Sequence, residues 1–127
     1  MESSEYLKKN LIVNLTFDFA LEIINFSEIL DEQRKYIVSK QLLRSGTSIG
    51  ANVREAQNSE SKADFIHKFK IAAKEADECE YWLLLIKHSK NYPFDQTLLD
   101  KLYEIKRIIN KIISSSKKNY TKNIEVK

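Results

Sequence analysis

Glycine and proline are nearly missing from this chain, which has two glycines and one proline among its 127 residues. Turn-rich all-β folds and glycine-rich nucleotide-binding loops need several of these residues. Their scarcity therefore predicts long helices joined by a few short turns. A chain of this length suits one domain, spanning residues 1–127, that buries its own hydrophobic core.

Apolar periodicity divides the chain into four predicted helices, at about residues 11–30, 33–58, 62–91 and 95–116, followed by a tail at 117–127 that is expected to fray. The third helix has the clearest pattern, because its apolar residues alternate four and three positions apart, as in a heptad seam. The predicted core lines are Leu15, Phe19, Ile23, Phe26 and Leu30; Val38, Leu42, Ser45, Ile49, Asn52 and Ala56; Phe65, Phe69, Ala72, Ala76, Cys79, Leu83 and Ile86; and Leu98, Leu102, Ile105, Ile109, Ile112 and Ser116. The sequence thus predicts an all-α four-helix bundle.

Few residues are suited to catalysis or metal binding. Cys79 is the single cysteine, which excludes an intramolecular disulfide, and its place on an apolar seam favours an inert thiol over a nucleophile. His67 and His88 would lie about 31 Å apart on one helix, and neither follows a glutamate by three residues as di-iron bundles require. We therefore expect no catalytic residue, metal, cofactor or enzymatic activity. Because no signal peptide or membrane span is evident, we expect a cytoplasmic location.

Both glycines, Gly46 and Gly50, lie in the segment RSGTSIGANV, which superficially resembles a phosphate-binding loop. A P-loop has four residues between its glycines, followed by Lys and Ser or Thr, and this segment meets neither condition. A spacing of four instead places both glycines on one face of a helix. The spacing therefore favours close helix packing over a ligand site at exposed backbone.

Two apolar stripes exceed what one bundle can bury. The segment from Tyr81 to Ile86 has large apolar side chains in every direction around the helix axis, and a second stripe lies beside the core line of the first helix. The predicted oligomer contacts are Phe17, Leu21, Ile24, Tyr81, Trp82 and Leu85. The alternative is a single, very broad core stripe.

Polar residues suggest two further features. Ser48, Asn52 and Glu55 fall along the second helix, and we interpret them as a buried structural network, with a ligand-binding role as the alternative. Residues 1–31 carry a net charge of −4 and residues 93–127 a net charge of +4. This asymmetry reflects either charge pairing between neighbouring helices or a basic surface.

Residues 39–92 contain a set of motifs that is similar to the signature region of a known family. The matching elements are Arg44, Ser48-Ile49, Asn52, Glu55, Ser61-Lys62, Asp64-Phe65, Ala72, Glu78 and Glu80. Over roughly residues 11–116 the chain resembles the four-helix bundle proteins named after the 23S rRNA intervening sequences in which some are encoded. The resemblance implies an antiparallel up-down bundle that assembles into a homopentamer, and it implies no known reaction.

A related branch, the accessory variability determinant of diversity-generating retroelements, has a basic surface and binds a reverse transcriptase and nucleic acid. That resemblance and the charge pattern give our leading hypothesis, a non-enzymatic homo-oligomer that contacts RNA or DNA through a repeated basic surface. The candidate contacts are Arg44, Arg54, Arg107, Lys111 and Lys118. The alternative is a protein-interaction scaffold, for example an accessory protein to a reverse transcriptase, that does not bind nucleic acid itself.

Overall fold

Four helices make up the protein in the computed structural model, which describes the backbone of residues 4–126 and the side chains of residues 11–119. The helices are α1 at Ser4–Glu32, α2 at Tyr36–Ala56, α3 at Lys62–His88 and α4 at Gln96–Val126. No strand occurs within residues 4–126. The prediction of an all-α chain with four helices is confirmed.

The turn between α1 and α2 depends on a residue with left-handed backbone geometry. Arg34 has a φ of 62°, its N–H donates to the carbonyl of Asp31, and the N–H of Lys35 donates to the carbonyl of Leu30. These two hydrogen bonds form a Schellman motif, which satisfies carbonyls at the end of a helix and stops it there. The second helix therefore begins at Tyr36 rather than at the predicted residue 33.

At the ends of α3 and α4, one prediction is confirmed and one helix ends earlier than expected. Ser61 caps α3 by accepting a hydrogen bond from the N–H of Asp64, as its sequence spacing suggests. The helix ends at His88 rather than near residue 91, because Ser89 is extended and Asn91 has a φ of 65°. The tail predicted to fray is helical as far as Val126, since neither glycine nor proline interrupts α4 after residue 116.

Helices that are adjacent in the sequence are adjacent in space. α2 packs on α1 and α3, and α4 packs on α3 and, less extensively, on α1. Within the described residues, no Cα atom of α1 lies within 8 Å of one in α3, and the same holds for α2 and α4, so each helix has two close neighbours and one diagonal partner. The hydroxyl of Ser39 on α2 donates to the carbonyl of Ser27 on α1.

The heptad positions fill the core as the sequence indicates. Phe19, Leu83 and Ile109 are almost completely buried, and most predicted core residues are buried with them. Leu15, Val38, Asn52, Phe65 and Ile112 are only half-buried. Ile12, Thr16 and Val53 are buried although they lay outside the predicted lines.

The two glycines allow α1 and α2 to approach closely. A Cβ atom at Gly46 would lie 2.9 Å from both γ carbons of Ile23, and one at Gly50 would lie 3.2 Å from the backbone oxygen of Thr16. These distances leave no room for a side chain without movement of α1. The predicted packing role of the glycines is confirmed.

Candidate nucleic-acid interface

Basic residues concentrate at one end of the bundle. That end combines the first half of α3 with the second half of α4, and residues 59–74 and 104–119 contain nine Lys and Arg against three Asp and Glu. The opposite end, formed by residues 22–44 and 75–103, contains seven Lys and Arg against ten Asp and Glu. The charge asymmetry along the sequence therefore becomes a charge asymmetry between the two ends of the bundle.

Arg107, Lys111 and Lys118 form one exposed row on α4, which we call the α4 basic row. Their spacing of four and seven residues places them on one face of the helix. Among the described side chains, none of the three forms an ion pair, whereas Lys106 pairs with Asp77 and Glu80 on α3. The row is therefore available to anions in a way that its neighbour Lys106 is not.

Further lysines extend the basic end onto α3. Hydrogen bonding to Lys117 and repulsion by its charge lower the pKa of Lys70, and Lys74 lowers that pKa further. Such a shift arises when like charges are held close together. Sequence reasoning did not select Lys70, Lys74 or Lys117, although Lys70 and Lys74 stand one helical turn apart and Lys117 adjoins Lys118.

The other two candidate cations lie on α2, away from the α4 basic row. Arg44 forms ion pairs with Glu75 and Glu78 of α3, and its Nη1 lies 3.0 Å from Glu75 Oε2. Arg54 is exposed in the last turn of α2. The structure therefore brings three of the five candidate residues together and holds Arg44 in a contact between two helices.

The polar set on α2 makes local contacts. The hydroxyl of Ser48 donates to the carbonyl of Arg44, and the amide of Asn52 donates to the carbonyl of Ser48. Glu55, whose side chain is 60% exposed, pairs with Lys68 on α3. The three side chains do not form the buried network that the sequence suggested, because each satisfies its polar group on a nearby backbone carbonyl or on a lysine.

The predicted oligomer contacts form two separate exposed patches. The α1 patch consists of Phe17, Leu21 and Ile24, which are 55%, 47% and 38% exposed. The α3 patch consists of Tyr81 and Leu85, which are 58% and 39% exposed, together with the half-buried Trp82. Because α1 and α3 are not neighbouring helices within the described residues, the two patches belong to diagonally opposite helices.

The reactive groups of the chain are not assembled for catalysis in the part that the structure describes. Burial raises the pKa of the Cys79 thiol to about 12. A thiol with that pKa is protonated at neutral pH and is a poor nucleophile. Among the described residues, no three His, Cys, Asp or Glu side chains are grouped so that they could hold a metal ion. No described helix has the length and hydropathy needed to cross a bilayer.

An open cavity of about 700 Å³ adjoins the α4 basic row, between α1, the start of α3 and the second half of α4. Arg107 and Lys111 line it together with Lys62 of α3. Its apolar lining includes Leu11, Phe65, Phe69, Ile108 and Ile112. Two residues of the basic row thus belong to both the exposed surface and the cavity, which no pattern within a single helix could reveal.

Comparison with known proteins gives a family and a similar solved structure. Residues 8–114 match the family model of the 23S rRNA-intervening sequence protein. A crystal structure from Bacteroides thetaiotaomicron, described as a protein with unknown function from the S23 ribosomal protein family, is 42% identical to this chain. The match covers 84% of this chain and 98% of that one, with a TM-score of 0.79. No curated protein matches the chain.

Proposed function

Because the chain belongs to the 23S rRNA-intervening sequence protein family, we propose that it is a non-enzymatic, cytoplasmic nucleic-acid-binding protein that contacts phosphates through the α4 basic row. The observation that carries this proposal is the unpaired state of Arg107, Lys111 and Lys118 among the described side chains, at the end of the bundle where basic residues outnumber acidic ones. Unpaired surface cations interact with phosphates without first breaking an ion pair.

The chemistry of this surface favours contacts with the nucleic-acid backbone over reading of the base sequence. Residues 104–119 of α4 include no aromatic side chain on which bases could stack, and the nearest exposed one on this helix is Tyr103, one turn before Arg107. Binding should therefore be nearly independent of sequence. It should weaken steeply with salt, because each phosphate contact releases condensed counterions.

Charge reversal of the row tests the proposal. The triple variant Arg107→Glu, Lys111→Glu and Lys118→Glu should lose at least tenfold in affinity for single-stranded RNA, measured by fluorescence anisotropy at about 50 mM salt, where phosphate contacts are strong. The matched control is Lys40→Glu, Lys87→Glu and Lys90→Glu, which changes the net charge equally with exposed lysines outside residues 59–74 and 104–119. We expect the control to keep most of the wild-type affinity.

Two results would contradict nucleic-acid binding through this row. One is a wild-type protein that binds neither RNA, single-stranded DNA nor duplex DNA at low salt. The other is an equal loss of affinity in both triple variants, which would indicate that only net charge matters. Circular dichroism of each variant shows whether the helices are intact.

We also propose that the bundle is antiparallel and that copies of it assemble into a ring, a homopentamer as the family resemblance implies. Residues 27, 23 and 16 of α1 meet residues 39, 46 and 50 of α2, which supports opposite directions for these helices. Apolar patches on diagonally opposite helices suit a head-to-tail contact, in which the α1 patch of one copy covers the α3 patch of the next. Five copies of a chain with net charge +3 would carry +15.

The oligomer is tested by disrupting one patch at a time. Leu21→Asp and Leu85→Asp, each measured by light scattering coupled to size-exclusion chromatography, should both convert the assembly to monomers. Tyr103→Asp is the control, because Tyr103 is 44% exposed on α4 outside both patches. A wild-type particle of 15 kDa at micromolar concentration would contradict the ring.

A protein-interaction scaffold is the second candidate function. The observation that favours it is the α3 patch, whose large apolar side chains are exposed on a single chain. If the ring forms and yet no nucleic acid binds, this function replaces the first. A partner protein, for example a reverse transcriptase, would then compete with ring assembly for the patch.

A further inference from the structure

The cavity beside the α4 basic row is elongated. Residues of α4 line it on successive turns from Glu104 to Asn119, which corresponds to about 22 Å along the helix. Its volume of about 700 Å³ falls within the range of small-molecule sites. A long and narrow space of this size suits an extended chain better than a compact ring system.

Apolar groups that the bundle leaves partly accessible line this space. Leu11 of α1 is 48% exposed, and Phe65, Ile108 and Ile112 are half-buried. The ring of Phe65 lies 4.8 Å from that of the buried Phe69, measured between ring centroids. A hydrocarbon placed there would remove apolar surface from water on both sides of the contact, which favours binding.

The charged residues of the lining are mostly basic. Lys62, Arg107 and Lys111 face one acidic residue, Glu104. Among the described side chains, neither Arg107 nor Lys111 is paired with a carboxylate, and the ammonium of Lys62 lies 5.8 Å from the centre of the Phe65 ring. A ligand with an anionic group at one end of an apolar chain would satisfy both parts of this lining.

We propose that this cavity binds a long-chain carboxylate, with its acyl chain along α4 and its head group at Arg107 and Lys111. The acyl chain would lie against Phe65, Ile108 and Ile112, and Ser115 and Asn119 line the end of the cavity beyond the cations. The site is a feature of the single chain, and because it uses Arg107 and Lys111, a bound carboxylate would compete with phosphates for these two cations.

Isothermal titration calorimetry of the full chain with octanoate, decanoate and dodecanoate tests the proposal directly. Each added methylene should tighten binding about fourfold, which corresponds to about 0.8 kcal/mol, with one ligand per chain. Dodecan-1-ol, which has the chain without the charge, should bind at least tenfold more weakly than dodecanoate. The double variant Arg107→Gln and Lys111→Gln should lose that advantage and bind the two ligands alike.

Two adjacent serines provide a matched pair for blocking the cavity. Ser115 lines the cavity and Ser114 does not, although both are exposed on α4. Ser115→Trp should reduce dodecanoate affinity at least tenfold, whereas Ser114→Trp should leave it unchanged. Because both residues are exposed, neither variant removes a core contact.

Three results would overturn the proposal: no heat of binding for any of the carboxylates, binding of many ligands per chain as a detergent would show, or equal effects of the two tryptophan variants. None of these measurements uses nucleic acid. Failure of the carboxylate site therefore leaves the test of the α4 basic row unaffected, and the reverse also holds.

Discussion

Helix α1 packs in opposite ways on its two neighbours. Against α2 it is so close that a Cβ at Gly46 would lie 2.9 Å from the Ile23 side chain. Towards α4 the contact is less extensive, and a cavity of about 700 Å³ opens beside Leu11. The same helix thus forms a tight contact that stabilises the fold and an open contact that leaves room for a ligand.

The difference follows from the side chains available on each side. On the α2 side, glycine and serine let the two backbones approach, and Ser39 adds a hydrogen bond to the Ser27 carbonyl. On the α4 side, the long cations Arg107 and Lys111 keep their charges near water and contribute little to a dry contact. The contact between α1 and α2 can therefore stabilise the fold while the side chains between α1 and α4 vary.

The largest effect is expected from two isoleucines on α4 that differ mainly in burial. Ile109→Ala should lower the free energy of unfolding by about 3 kcal/mol, because Ile109 is completely buried and its loss leaves a void. Ile112→Ala should cost about 1 kcal/mol, since Ile112 is half-buried and already borders the cavity. Urea unfolding followed by circular dichroism measures both, and equal losses would show that the cavity side is packed as tightly as the core.

An intermediate effect is expected from Gly46→Ala. The added methyl group would collide with Ile23, and this overpacking should outweigh the gain in helix propensity, leaving a net loss of about 1 to 2 kcal/mol in urea unfolding. An Ile23→Ala background removes both γ carbons at 2.9 Å and leaves only the Cβ of residue 23, at 3.3 Å. There, the same substitution should be neutral or should stabilise by up to about 1 kcal/mol, and an unchanged penalty would mean that the close contact does not limit position 46.

The smallest effect concerns Lys106, in the contact between α3 and α4. Burial disfavours its charge, but hydrogen bonds to Glu80 and Asp77 outweigh burial and raise the pKa of Lys106. A raised pKa in the folded state stabilises the protein below the unfolded pKa, near 10.4, and that contribution is lost as the pH rises through the folded value.

Lys106→Met should therefore lower the free energy of unfolding by less than about 1 kcal/mol at pH 8, and the two proteins should converge as the pH rises above the raised pKa of Lys106. Urea unfolding at several pH values measures this. Lys40→Met, at an exposed lysine of α2, serves as the control and should show no such convergence. A constant difference between wild type and Lys106→Met across the pH range would contradict an ion-pair contribution.

The fold could be predicted from sequence because each helix carries its own periodic signal. The α3 line holds from Phe69 to Ile86, where every predicted core position is buried. Helix ends were less predictable, since the left-handed geometry at the end of α1 falls on Arg34, a residue type that does not normally favour it, although Asn91 is a type that adopts it more readily. The burial of Val53 depends on a neighbouring helix, and one helix's pattern does not contain that information.

The candidate site was predictable only in part, for the same reason. Arg107, Lys111 and Lys118 share one face of one helix, so their spacing was sufficient to group them. Lys62, Lys70 and Lys117 join them through contacts between α3 and α4, and the cavity is lined jointly by α4, the start of α3, the end of α2 and Leu11 of α1. Arg44 was selected for its charge, but its pairing with Glu75 required knowledge of the facing helix.

Because the two ends of the bundle differ in charge, the molecule has a positive end and a negative end. A ring whose copies all stand parallel to its axis would have one positive rim and one negative rim, from residues 104–119 and 75–103 respectively. Such a ring would bind a polyanion through its positive rim, and its negative rim would repel the polyanion. Two rings would attract each other front to back, so that short stacks at low ionic strength, dispersed by salt, are the expected behaviour of the assembly.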